Sequence, residues 1–115
     1  FYTTTASIKD AKKIAKYLLI NNYSTCVNVF PGIFSLYTEN QKLYENNEVV
    51  LIIKTLLSKK QFFANLKKIH NYKIPFISFI ESHCLNHEYI KWAENQTFYS
   101  NSWHIWILGY LLSIN

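Results

Sequence analysis

Apolar positions change period several times along this chain, and the changes divide it into elements. Phe1 to Thr5, aromatic and β-branched, predict a first strand. Behind Ser7 and Asp10, a capping-box-like start, Ile8, Ala11, Ile14, Ala15, Leu18 and Leu19 recur at helical spacing until Asn21-Asn22. A second strand is predicted from about residue 23 to 37, with Pro31-Gly32 reading as a bulge or kink. A third runs from about 42 to 55. Ser58 and Gln61 form another capping box, opening a helix with Phe62, Phe63, Leu66 and Ile69 inward. Pro75 starts a fourth strand reaching to about Cys84, and Asn86 caps a short helix carrying Tyr89, Ile90, Trp92 and Ala93. From Phe98 onward the pattern is irregular and aromatic.

This β-α-β-β-α-β order with a terminal helix is an α+β arrangement, the ferredoxin-like split βαβ sandwich. The run Val49-Val50-Leu51-Ile52-Ile53 has no polar side, so both faces of the third strand need cover. Both main helices lie on one face in this fold, which leaves the other for a second subunit. Strands of about fourteen residues span roughly 45 Å, whereas a helix of that length covers about 21 Å. The long hairpin between the second and third strands is therefore expected to project as an arm. An open face and an overhanging arm predict a closed oligomer.

Composition narrows the functions. Half of the 115 residues are apolar, enough for one core, and one domain is expected over 1–97, with 98–115 as an aromatic extension packing on the domain or the oligomer. The net charge of +5 comes from lysine, with no arginine in the chain. Without arginine's bidentate fork, specific nucleic-acid reading is not expected. The lysines gather on two predicted helices, where a solvated surface is the simplest reading. Two cysteines, Cys26 and Cys84, form neither a disulfide scaffold nor a C-x-x-C pair, which suits an intracellular setting, cytoplasmic by default. The chain starts at Phe1 rather than methionine, so a trimmed leader, and with it an organelle, stays open. The apolar stretch 103–112 is shorter than the ~17 residues a spanning helix needs, so membrane attachment is the weaker option for it.

Four blocks carry a family resemblance: CVNVFPGIFSLY (26–37), EVVLIIKT (48–55), HNYKIP (70–75) and EYIKW (88–92). In register over about 3–97, they resemble the CutA family of divalent-cation-tolerance proteins. The resemblance implies a ferredoxin-like homotrimer interlocked through its hairpins, linked to binding or tolerance of divalent metals, copper foremost. It also implies kinship of architecture with PII signalling trimers, which bind small effectors between subunits. Some family features are altered: the glycine of the turn before the third strand is replaced within Glu39-Asn40-Gln41-Lys42, and the acidic positions around His70 are replaced in His70-Asn71-Tyr72-Lys73-Ile74-Pro75-Phe76. Leu85 stands where the family has glycine.

Candidate metal ligands are His70, Cys26 and His83, whose imidazole and thiolate donors suit copper and zinc. Cys26 and His70 match family positions but are expected at opposite sheet ends, so one ion joins them only across subunits. A buried small thiol, and a histidine at a helix C-terminus, are the plainer alternatives. If His83 and Cys84 share a strand, their side chains point to opposite faces and do not ligate one ion together. A cleft for a small anionic metabolite is expected among Tyr37, Lys42, Tyr72, Tyr89 and Trp92, with interface packing as the plainer reading. No nucleophile–base–acid set and no glycine-rich phosphate loop appears, and the third strand lacks the aromatics of an RNA-recognition motif. The expectation is a non-enzymatic, trimeric copper-binding protein of metal tolerance. A PII-like metabolite sensor or a structural scaffold trimer are the alternatives.

Overall fold

A computed structural model describes residues 1–97 of the chain. The expected packing of the 98–115 extension lies outside the described residues. One compact unit spans Phe1–Glu81 and a second begins at Ser82. The first contains β1 (Tyr2–Thr5), α1 (Ile8–Ile20), β2 (Cys26–Glu39), β3 (Lys42–Lys54), α2 (Lys59–Ile69) and β4 (Ile77–Ser78); the second contains α3 (His87–Thr97). The four strands form one antiparallel sheet in the order β2-β3-β1-β4.

Local chemistry sets the helix bounds. Ser7 and Ser58 each accept a hydrogen bond from the amide three residues on, Asp10 at 3.1 Å and Gln61 at 3.3 Å, satisfying amides that the first turn leaves orphaned. Behind α1, Asn22 takes a positive φ of 58°, and the amides of Tyr23 and Ser24 both return to Leu18 O. That return holds residues 23–24 in the helix cap, so β2 opens at Cys26 rather than at the expected 23. Asn86 Oδ1 accepts from the Glu88 amide at 3.1 Å and caps α3.

The core lies between the sheet and both helices of the first unit. Ala11, Ile14 and Leu18 of α1 and Phe62 and Leu66 of α2 meet Val49, Leu51 and Ile53 of β3, with the Phe1 ring tilted against Phe62 at 4.3 Å between centroids. Three residues expected inward are exposed: Ile8, Leu19 and Phe63. Phe63 lies one helical step, about 100°, from the stripe through Phe62 and Leu66. Its ring instead carries Lys67 Nζ at 5.8 Å.

Strand parity then assigns every position of the sheet to a side. Val49, Leu51 and Ile53 face the helices, and their ladder partners Thr3, Thr5, Val27 and Val29 share that side. Val50 and Ile52, with Thr4, Tyr2, Phe30, Asn28 and Cys26, take the other side. This second side has no element of the first unit over it, and Ile52 is 41% exposed.

Past Val49 the hairpin leaves the helices behind. Phe30 pairs with Val50 and Ile33 with Glu48, so Pro31 and Gly32 together oppose Val49 as a bulge, with Gly32 at φ 76°. The ladder continues to Glu39–Lys42, and Asn40 and Gln41, at φ 51° and 65°, make the tight reversal that twisted hairpins favour. Phe34, Leu36 and Leu43 are 67%, 63% and 71% exposed on one side of this arm.

The fourth strand corrects an expectation. It was expected to run to about Cys84, yet β4 pairs with β1 at two positions only, Tyr2↔Ser78 and Thr3↔Ile77. As an edge strand with one neighbour, it has no ladder to hold the backbone beyond Ser78. His83 and Cys84 are exposed and belong to no strand.

Candidate functional site

The polar residues of the first unit converge where α2 ends. His70 is the C-cap of α2 and is buried beneath the sheet. Its Nδ1 accepts the Tyr72 amide at 3.0 Å, and its Nε2 lies 3.0 Å from Thr3 Oγ1. The Thr3 hydroxyl spends its proton on Phe76 O at 2.7 Å, so it accepts from the ring. These contacts leave one tautomer, neutral with the proton on Nε2. Burial pushes the His70 pKa below the ordinary histidine value, against smaller opposing pulls from the Thr4 backbone and the Asp10 charge.

Two residues on, Tyr72 donates its hydroxyl to Glu48 Oε2 at 2.6 Å. Burial raises the Tyr72 pKa well above the usual phenol range, and the Glu48 carboxylate raises it further. Burial alone would lift the Glu48 carboxyl too, but the hydroxyls of Ser35, Tyr72 and Thr4 outweigh it and hold its pKa below the usual value. An ionised carboxylate ringed by hydroxyls thus sits at the root of the arm, on the side away from the helices. Farther out on that side, Tyr37 stacks on Tyr44 at 5.5 Å and its hydroxyl accepts from Asn46 Nδ2 at 2.8 Å.

Of the expected metal ligands, the fold separates Cys26 from His70 in a way sequence spacing alone does not show. Cys26 pairs with Lys54 on the open side of the sheet, whereas His70 bonds Thr3 on the helix side. Within one chain they cannot touch one ion. His83 is in the second unit, outside any strand, so strand alternation does not constrain it relative to Cys84. Both thiols are free, and Cys84 Sγ lies 3.5 Å from Asn86 O. Among the described residues no three His, Cys, Asp or Glu side chains gather into a group able to hold a metal ion.

Of the expected cleft, Tyr72 and Tyr37 sit on the same side, Tyr72 at the arm's root and Tyr37 farther out, where its ladder partner Tyr44 is four residues along β3 from Glu48. Lys42 pairs with Glu39 at the arm's tip, six residues along β3 from Glu48 and so ~20 Å away. In the second unit, the rings of Tyr89 and Trp92 lie 5.5 Å apart. Sequence reasoning missed Glu48 and Thr3. The signal for Glu48 was present: in EVVLIIK its parity matches Val50 and Ile52, which puts a carboxylate on the open side.

A four-stranded antiparallel sheet in this order, two helices on one side and a hairpin outgrowing them define a ferredoxin-like sandwich with an extended arm. The chain belongs to the family described as CutA1 divalent ion tolerance protein, whose sequence model matches residues 1–96. A protein CutA homolog of Xenopus laevis is 35% identical over 93 residues, covering 80% of this chain and 62% of that protein. The chain thus spans about three fifths of that relative. The divalent-cation tolerance protein CutA of Thermococcus kodakarensis is 33% identical, covering 84% of this chain and 93% of its own length. The crystal structure of divalent ion tolerance protein CutA1 from Ehrlichia chaffeensis superposes with a TM-score of 0.79 at 30% identity, covering 85% of this chain and 92% of that one. Among the described residues no helix is long and apolar enough to cross a membrane.

Proposed function

We propose that this chain is a homotrimeric divalent-metal-binding protein, with copper the foremost ion, acting in metal tolerance and without enzymatic activity. Membership of a family named for divalent ion tolerance, over residues 1–96, is the observation that carries this reading. The exposed apolar side of the arm, and Phe30 and Ile52 exposed on the open sheet side, support assembly, because apolar surface of this kind favours burial against a partner. With Cys26 and His70 on opposite sides of their own sheet, a site using both takes Cys26 from one copy and His70 from another. His83 would be a separate, solvent-facing donor. His70 can ligate only by releasing the Tyr72 amide from Nδ1 or by losing the Nε2 proton it shares with Thr3, so binding releases protons or loosens that turn.

Calorimetric titration with Cu²⁺, beside light scattering for mass, tests the reading. Saturable uptake by a trimer, weakened by His70→Ala and by Cys26→Ser, supports it. A monomer that takes up no copper would sink it. The second reading, a PII-like sensor of a small metabolite, rests on the hydroxyl-ringed Glu48 at the arm root, with Tyr37 farther out on the same side. Saturable heat from nucleotides without dependence on metal would favour it. If neither ligand binds, the scaffold trimer gains.

A further inference from the structure

Charge in this protein is sorted by layer. α1 and α2 carry eight lysines (9, 12, 13, 16, 59, 60, 67 and 68) and one carboxylate, Asp10, for a net +7. The whole chain totals +5, so everything outside these two helices carries −2. All eight lysines are exposed. In α1, Lys9, Lys13 and Lys16 lie by helical phase opposite the buried stripe of Ala11, Ile14, Ala15 and Leu18. Both helices pack on the same side of the sheet around one core, so their outer surfaces form a single basic face about 20 Å long.

The placement costs local stability. Lys9–Lys12, Lys9–Lys13, Lys12–Lys16 and Lys13–Lys16 are like-charge pairs three or four residues apart, which repel on a helix surface. Lys9 of α1, and Lys59 and Lys60 of α2, sit in first turns, against the positive end of the helix dipole. A chain that breaks these local rules on one face, while keeping six of its seven carboxylates outside these helices, has the pattern expected of a binding surface.

We infer that the α1–α2 face docks on a bilayer surface containing anionic lipid. Three features favour lipid over nucleic acid. The chain has no arginine to fork onto phosphates or bases. Phe63, the exposed aromatic ring of this layer, already carries Lys67 Nζ at 5.8 Å, so it does not offer a bare platform for stacking bases. Ile8, Leu19 and Phe63 are exposed among the lysines, and apolar side chains between cations suit the boundary between headgroups and acyl chains. Lysine stems reach while keeping their ammonium groups in the headgroup layer. The inference is independent of the metal reading, since none of the eight lysines is a candidate ligand.

Co-sedimentation of the full chain with vesicles tests it. Binding is expected to vesicles of phosphatidylcholine with 30% phosphatidylserine at 50 mM salt, and not to pure phosphatidylcholine. It should be lost at 500 mM salt, where screening is short-ranged. Each charge reversal among Lys13→Glu, Lys16→Glu, Lys60→Glu and Lys67→Glu should weaken it by at least about fivefold, the factor one lysine near an anionic leaflet contributes. The pair Lys42→Glu and Lys73→Glu, outside the two helices and with twice the charge change of any one of these, should weaken it much less. Circular dichroism confirms that each variant is folded. Equal sedimentation with neutral vesicles, an equal loss from the Lys42/Lys73 pair, or tighter binding to a 20-base-pair RNA duplex at the same salt would each overturn the inference.

Discussion

Gln41 holds φ 65° at the arm's tip, a conformation that glycine adopts freely and glutamine does not. Gln41→Gly is expected to stabilise the fold by about 0.5–1 kcal/mol in urea unfolding, the strain relieved exceeding the added chain entropy. Gly32 is the mirror case. Nothing stands within 4 Å of where its Cβ would lie, yet its φ of 76° is costly for any L side chain. Gly32→Ala should therefore destabilise by about 1–3 kcal/mol through backbone strain alone. His70 yields a pH prediction. Its folded pKa lies below the unfolded value, so the unfolded chain takes up the proton first. The stability it contributes is complete above about pH 6.5 and is lost as pH falls through the depressed folded value. Unfolding midpoints measured across pH should show this limb, and His70→Gln should flatten it. Glu48, also depressed, acts in a lower window, below about pH 4.5, which His70→Gln leaves in place.

At the scale of elements, helix starts were legible because a serine hydroxyl bonding an amide three residues on is a purely local event. Ser7→Ala or Ser58→Ala should cost about 0.5–2 kcal/mol, read from the same unfolding curves. The bulge and the reversal were legible for the same reason, since Pro31-Gly32 and Asn40 announce their own backbone. Strand four was not. Apolar residues continue past Ser78 in Phe79 and Ile80, but a strand exists only as far as a neighbour pairs with it, and β1 is four residues long. Phe63 misled for a related reason: adjacent phenylalanines cannot both point into one core from a helix. The candidate site was legible as a residue list, not as an arrangement. That Cys26 and His70 fall on opposite sides of the sheet depends on ladder register, which spacing along the chain does not disclose.

For the whole molecule, the side shared by Val49, Leu51 and Ile53 is closed by helices, and Leu51→Ala there should cost about 2–5 kcal/mol. The arm's apolar side is closed by nothing in the first unit. Replacing Phe34 and Leu36 together with serine is expected to leave the monomer fold intact by circular dichroism while lowering the mass seen by light scattering. An unchanged mass would mean that the arm's apolar side does not carry assembly. The bulge has one more consequence. Before it, odd-numbered residues of β2 lie on the helix side of the sheet (Val27, Val29); after it, the even-numbered Phe34 and Leu36 continue that side beyond the helices. Removing a single residue at position 31 or 32 would close the two-against-one step into regular ladder with Phe30–Val50 and Ile33–Glu48 still paired, keeping phenylalanine and leucine on their present side but losing the local bend. The extra residue thus sets the direction in which the arm leaves the sheet, and a deletion there should redirect the arm rather than unfold it.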